Sequence, residues 1–451
     1  MVNRKIDSFL SNFFSSTSRA LLLTGARQTG KTYSIRHFCR SNYKSFIEIN
    51  FIENPDARDI FSQARSAREI LSRLPLFTQE ELIKNDTIIF FDEVQECPEI
   101  ITAIKFLVDE GSYRYVMSGS LLGVELNNVR SVPVGYMGIK ELFPLDFEEF
   151  ILAYGVPQNV IDTLRDCWHN GLPVDKVIHN KIMELFRIYM IIGGMPAVVN
   201  EYLISNNLRT AMLLQHDIIN LYKQDIAKYD KGEKLKIEEI FSLIPPELNA
   251  KNKRFILKKL NEKARFSSFE NGFLWLKNAG VALPVYNVDE PKVPLLLSRS
   301  RNLFKLFMND VGLLASQYAD GLQMRLLKNE EYINHGAIYE NFVAQELIAH
   351  GFDLYYFNSK RQGEIDFVVE SEGKALPIEV KSGKDYKRHN ALGNVMANQD
   401  YGIKRAVVLC NGNIMVDGNI VYAPIYMTMF LKKEWLPSSI TTYKIDISSL
   451  Q

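Results

Sequence analysis

The sequence is short of cysteine, of net charge and of long apolar runs, and each shortage removes a class of protein. Its four cysteines, Cys39, Cys97, Cys167 and Cys410, lie far apart and make no C-x-x-C pair. That spacing argues against a zinc site and against the disulfide framework of a small secreted domain, and it points to a reducing, cytoplasmic home. Fifty-three basic residues balance fifty-three acidic ones, so attraction to nucleic acid has to come from a local patch rather than from the field of the whole chain. The opening MVNRKIDSFLSNFF places Asp7, Ser8, Ser11 and Asn12 where an export signal needs an unbroken apolar core, so no signal peptide is expected. The most membrane-like stretch, Ile188 to Val199, is interrupted by Gly193, Gly194 and Pro196 and falls well short of the ~20 apolar residues of a spanning helix. No membrane partner is expected. Internal repeats and low-complexity tracts are also lacking.

What is present is material for packed cores. A chain of 451 residues exceeds one ordinary domain and suggests about two to four. Hydrophobic residues at 47% against 24% charged fit folded domains rather than a disordered chain. Residues 1–150 alternate short apolar strands with amphipathic segments, as a parallel sheet covered by helices does. Strands are expected at Ala20–Thr24, Phe46–Phe51, Thr87–Phe91 and Tyr113–Met117, with a fifth near Tyr136–Leu142. Residues 151–230 turn to helical periodicity. Residues 231–300 give three short helical patterns and then two strand-like runs, VALPVYNV and VPLLL, the order of a winged helix-turn-helix. Residues 301–451 return to α/β, with a helix at Ile338–His350 and strands near Leu354–Asn358, Ile365–Glu370, Leu376–Lys381 and Arg405–Leu409.

The run from Gly25 to Thr32, GARQTGKT, matches G-x-x-x-x-G-K-[ST] and lies between the ALLLT strand and a helical run, the context a phosphate-binding loop requires. Gly25 and Gly30 let the backbone curl so that the amides from Arg27, Gln28 and Thr29 to Tyr33 face phosphates, and the following helix adds its positive end. Lys31 supplies a point charge to the β- and γ-phosphates, and the Thr32 hydroxyl is a Mg²⁺ ligand. The strand TIIFF then delivers Asp92 and Glu93 to the edge where such sheets bind ligands. Asp92 is expected to hold Mg²⁺, and Glu93 to polarise the attacking water. Ser118 and Ser120 read equally well as reporters on the γ-phosphate and as ordinary loop formers.

Near the other end, Glu364-Ile365-Asp366 enters one strand and Glu379-Val380-Lys381 ends another. Residues two apart share a strand face, so Asp366, Glu379 and Lys381, with Glu340 from the preceding helix, would form a cluster able to hold Mg²⁺ for phosphodiester attack. The bland alternative is solvated strand ends or cross-strand ion pairs. Between Ala250 and Arg265 a basic face carries Lys251, Lys253, Arg254, Lys258, Lys259, Lys263 and Arg265 against Glu262; it reads as a DNA contact or as a solvated surface, and the next helix, with Phe273 and Trp275, as a recognition or a core helix. His216, His335 and His389 have no metal-ligand spacing.

GARQTGKT, IIFFDEVQ, VMSGS and FPLDFEEF together resemble the AAA-type P-loop ATPases of bacteria and archaea that carry a C-terminal domain of unassigned function. The resemblance continues through YMIIGGMPAVV and NDVGLLA and covers nearly the whole chain. It implies ATP and Mg²⁺ as cofactors, a restriction-endonuclease-like C-terminal fold akin to the PD-(D/E)XK nucleases, and DNA as a candidate partner. A homo-oligomer stays open, because such modules often share sites between subunits. Two functions also stay open: an ATPase coupled to a nuclease, or a nucleotide switch whose C-terminal domain binds DNA or protein without cutting. One departure matters. Many relatives carry Gly-Arg before the segment matching FPLDFEEF, whereas this chain reads VPVGYMGIKELFPLDFEEF, and its nearest arginine is Arg130. An arginine on the γ-phosphate contributes about 10³–10⁵ in rate, so basal hydrolysis by the purified monomer is expected to be slow. A steady-state assay giving tens of turnovers per second contradicts that expectation.

Overall fold

The computed structural model describes residues 4–62, 66–119, 135–226, 231–250, 253–260, 266–318, 321–328 and 336–433. The chain forms two compact units that interleave in sequence: residues 1–161, 184–284 and 306–333, and residues 162–183, 285–305 and 334–451.

The first unit is built on a five-stranded parallel sheet of β1 (Ala20–Thr24), β2 (Ser45–Asn50), β3 (Thr87–Asp92), β4 (Arg114–Ser118) and β5 (Met137–Glu141) in the order β2-β3-β4-β1-β5. Burial follows position. The inner strand β3 is buried at every residue, whereas the edge strands β2 and β5 alternate, as expected when helices cover both faces of the inner strands and edges keep one side wet. Neighbouring residues of β3 divide between two layers. Ile89 and Phe91 pack with Ile100, Ile104 and Leu107 of helix Glu99–Glu110, and Ile88 and Phe90 pack with Leu10, Phe14, Ile35 and Phe38 from helices Lys5–Ser16 and Lys31–Asn42. Phosphate loop and acidic pair therefore both lie at the C-terminal ends of parallel strands, where open α/β sheets bind ligands.

Helical periodicity beyond Phe147 becomes helices Phe147–Ala153, Gln158–Asn170, Lys176–Ile192, Pro196–Ser205 and Leu208–Ile226. Among the described residues, no helix is long and apolar enough to cross a membrane. Glycines explain the middle motifs. A Cβ at Gly193 would stand 2.1 Å from Asp310 Oδ1, one at Gly194 2.0 Å from the Leu145 carbonyl oxygen, and one at Gly312 2.3 Å from the Ile192 carbonyl oxygen. The Gly194 amide donates to Asp310 Oδ2 at 2.6 Å, and the Leu145 amide to the Gly194 carbonyl at 2.7 Å. IIGG, NDVG and FPLD thus interlock through close backbone and Asp310 side-chain contacts that a Cβ at these glycines would block.

The second unit contains most of an eight-stranded sheet, order β12-β13-β11-β10-β9-β8-β6-β7. Its strands are β6 (Ala282–Val288), β7 (Arg299–Met308), β8 (Tyr355–Ser359), β9 (Gly363–Ser371), β10 (Lys374–Val380), β11 (Ala406–Cys410), β12 (Met415–Asp417) and β13 (Ile420–Pro424). Antiparallel pairs β8/β9, β9/β10 and β12/β13 combine with parallel pairs β10/β11, β11/β13 and β6/β8. Two expectations need correction. VPLLL is not a strand: Pro294 has no amide to give a ladder, the Leu295 amide donates to Glu370 at 2.6 Å, and Leu295–Ser298 coils into a 3₁₀ turn. The second strand is instead Arg299–Met308, and both it and VALPVYNV join the C-terminal sheet.

Replacing Gly194 by Ala is expected to destabilise the protein by about 1–3 kcal/mol, the range for overpacking a filled interior. Thermal melting checks this, and an unchanged midpoint would show that the Leu145–Gly194–Asp310 contact is not tight.

Candidate functional site

Gly25 leaves β1 at φ +137°, a conformation L residues with side chains rarely adopt, and a Cβ there would meet the Leu142 carbonyl oxygen at 2.2 Å. Gln28 and Gly30 also have positive φ, and Gly30 opens helix Lys31–Asn42. The loop therefore wraps back onto itself, and Lys31 Nζ donates to the carbonyl oxygens of Gly25 at 3.0 Å and Ala26 at 2.7 Å. Burial pushes the Lys31 ammonium down to about 8, against the pull of Glu93 and Asp92. A lysine so placed is short of negative charge, the electrostatic condition for receiving a polyphosphate.

Because β4 lies between β1 and β3 in the sheet, Ser118 at its end stands between the loop and the acidic pair. Ser118 Oγ donates to Asp92 Oδ1, and Thr32 Oγ1 lies 3.2 Å from Asp92 Oδ2. Burial raises the Asp92 carboxyl, opposed by the Ser118 hydroxyl. Lys31, Thr32, Asp92 and Ser118 are thus gathered at one sheet edge. Glu93 follows in the left-handed region at φ 55°, and its carboxylate accepts from Gln95 Nε2 at 2.5 Å. Tyr33 is exposed and lies parallel to His37. Ser120 and Arg130 lie outside the described residues.

Four residues shape this site without a motif to announce them. Arg4 is buried, and its guanidinium donates to the Thr29 carbonyl at 3.0 Å, the Phe143 carbonyl at 2.9 Å and Glu149 Oε1 at 3.1 Å. It ties the phosphate loop to the FPLDFEEF segment. Asn50 ends β2 opposite Asp92 and donates to Asp92 Oδ2 at 3.3 Å; the parallel pattern of polar residues closing both strands was its only signal. Asp225 pairs with Arg27 at 2.6 Å, and Tyr222 Oη donates to the Arg27 carbonyl at 3.3 Å. Arg27 thus enters the site as a strut to helix Leu208–Ile226 rather than as a side chain turned wholly to phosphate.

In the second unit Glu340, Asp366, Glu379 and Lys381 do come together. The Val380 amide donates to Asp366 Oδ2 at 2.9 Å, and Lys381 Nζ to Glu379 Oε1 at 2.6 Å. A fifth residue, missed in the sequence, joins them: Lys305 of β7, fully buried, lies 2.8 Å from Glu364, 3.5 Å from Glu340 and 3.9 Å from Asp366. Although burial opposes it, those carboxylates hold the Lys305 ammonium above its usual range, while burial raises the Glu379 carboxyl. Among the described residues no group of three or more His, Cys, Asp or Glu is arranged to hold a metal ion.

The basic segment is only partly described, Lys251, Lys263 and Arg265 lying outside. Lys258 and Lys259 sit on the 3₁₀ turn Leu257–Lys259, and Lys259 pairs with the buried Glu247 at 2.5 Å. Phe273 and Trp275 are buried, so helix Phe266–Asn278 turns its aromatic face to a core. His216 is exposed, His389 bonds Tyr422 Oη at 2.6 Å, and His335 is outside the described residues.

Residues 17–151 match the family model of an AAA domain, and this segment is an AAA-type P-loop ATPase domain. Residues 183–324 and 335–427 match two domains of unknown function, DUF8612 and DUF4143. No curated protein matches the chain in sequence. Among solved structures, the Walker-type ATPase PABY2304 of Pyrococcus abyssi is 14% identical, with 70% of this chain and 96% of that one covered at a TM-score of 0.41. The ORC1 protein of Aeropyrum pernix in complex with DNA is 12% identical, with 73% and 93% covered at 0.29. Cdc6p from Pyrobaculum aerophilum is 15% identical, with 72% and 92% covered at 0.23.

The Lys31 environment fixes a pH dependence. Above about 8 the free protein loses the Lys31 proton, whereas bound polyphosphate favours the charged form. ATP affinity should therefore be flat below that pH and weaken above it, approaching about tenfold per pH unit. Calorimetric titration across neutral to alkaline pH checks the slope; constant affinity contradicts it.

Proposed function

We propose that this chain binds and hydrolyses ATP and uses the nucleotide cycle to govern a C-terminal nuclease-like domain that acts on DNA. One observation supports the ATPase half above others: a buried Lys31 in a glycine-curled loop, with the Thr32 hydroxyl, Asp92 and Ser118 in one hydrogen-bonded group beside it. These residues fit MgATP. Gly25 to Tyr33 would cradle the phosphates, Thr32 and Asp92 would hold Mg²⁺, and Ser118 would sense the γ-phosphate through Asp92. Mg²⁺ when bound would neutralise charge on the β- and γ-oxygens. Glu93 would orient water, its side chain steadied by Gln95. With no arginine in GYMGIKELFPLDFEEF, a second copy of the chain is the natural source of one.

Within this reading the ATPase domain spans 1–150, helices 151–230 follow, the part 231–300 is helical up to a strand that joins the C-terminal sheet, and 301–451 is the nuclease-like domain. Two modes of action remain for that last domain, cleavage through Asp366, Glu379 and Lys381, or binding alone. The buried Lys305 among the carboxylates favours binding alone, with the nucleotide state setting its availability.

Lys31→Ala should weaken ATP binding at least about thirty-fold, following the ~2–5 kcal/mol cost of removing one partner from a buried charged contact. Glu93→Gln should leave affinity within about twofold while lowering turnover by about 10²–10⁴. Equilibrium binding and steady-state hydrolysis separate the two, and a Lys31→Ala protein with intact affinity would refute the assignment.

A further inference from the structure

A carboxylate cluster at the ends of β9 and β10 would ordinarily call for a cation, and this chain already supplies one from its own strand. Lys305 is fully buried, its ammonium 2.8 Å from Glu364, 3.5 Å from Glu340 and 3.9 Å from Asp366, with the Tyr356 ring centroid 5.1 Å away. Burying an ammonium costs several kcal/mol on its own, so these contacts serve both sides: the anions keep the lysine charged and the lysine neutralises the anions. Mg²⁺ would need six oxygens at ~2.0–2.1 Å. Glu340 and Asp366, two of its expected ligands, instead face the ammonium, and the third, Glu379, is paired with Lys381 at 2.6 Å. Two cations drawn to one carboxylate group repel each other strongly where water is excluded. The residues as arranged do not fit a divalent metal.

We propose that the Lys305 ammonium is the resident cation of the Glu340–Glu364–Asp366 cluster, standing where a nuclease-like domain would place its metal, so that this domain holds no divalent ion while Lys305 is present. The inference deepens the reading that the C-terminal domain binds without cutting. It does not depend on the ATPase half, because every measurement below is made without nucleotide.

The test is Mn²⁺ binding to the full chain, followed by the electron paramagnetic resonance of free Mn²⁺. Wild-type protein should show no Mn²⁺ site removed by Asp366→Asn. Lys305→Met keeps an unbranched apolar side chain one atom shorter and removes the charge; it should gain one Mn²⁺ per chain, at least about tenfold tighter than any wild-type site, and Asp366→Asn in that background should abolish it. Circular dichroism and a cooperative thermal melt show that Lys305→Met is folded. Wild-type Mn²⁺ binding that Asp366→Asn or Glu379→Gln eliminates would overturn the proposal, whether or not Lys305→Met folds. So would a folded Lys305→Met protein that gains no Mn²⁺ site.

Discussion

A lysine ammonium taken out of water has to be given oxygen atoms, and this chain does so twice in opposite ways. Among the described residues Lys31 donates to two loop carbonyls, those of Gly25 and Ala26, and is pushed down to about 8 by burial. Lys305 receives three carboxylates and is held above its usual range by them, against the effect of burial. The first is electrostatically short of anions and suited to an incoming triphosphate; the second is satisfied from within. The same side chain thus marks a receptive site in one unit and a closed one in the other, and the difference is set by which strand ends the fold brings to it.

The receptive site depends on support from well outside its motif. Arg4 holds the Thr29 carbonyl and Glu149, Tyr222 and Asp225 hold Arg27, and Asn50 and Ser118 hold Asp92. Gly194 and Asp310 lock the FPLD segment on which Phe143 and Asp146 stand. Asn309 Nδ2 reaches Tyr222 Oη at 3.3 Å, so residues 309 and 310 touch both supports of the phosphate loop. These contacts join the supports of the phosphate loop to the segment that directly follows β7.

Much of the first unit was legible in the sequence because its signals are local. ALLLT and TIIFF are unbroken apolar runs because β1 and β3 are covered on both faces, and GARQTGKT needs its glycines for backbone reasons that any such loop shares. In the second unit helix Gly336–Ala349 and strands β8 to β11 fell within a residue or two of their expected places. The rest was illegible for physical reasons. Lys305 lies in RNLFKLFM, where a lysine on a strand reads as a solvated edge; only the partners brought from residues 340, 364 and 366 make it buried. Arg4 has no pattern around it, and Pro294 turned VPLLL from an apparent strand into a 3₁₀ turn. The middle motifs IIGG and NDVG were visible as words but not as chemistry, since their glycines matter only through contacts with residues far away in sequence.

In the proposed reading the two buried lysines mark one phosphate-receptive site and one self-neutralised cluster. Crystals grown with a non-hydrolysable ATP analogue and Mn²⁺ test it in one anomalous difference map. The expected result is a single Mn²⁺ peak per chain beside Thr32 and Asp92, with the analogue's phosphates over Gly25–Lys31. A peak among Glu340, Asp366 and Glu379, or triphosphate bound away from Lys31, would contradict it.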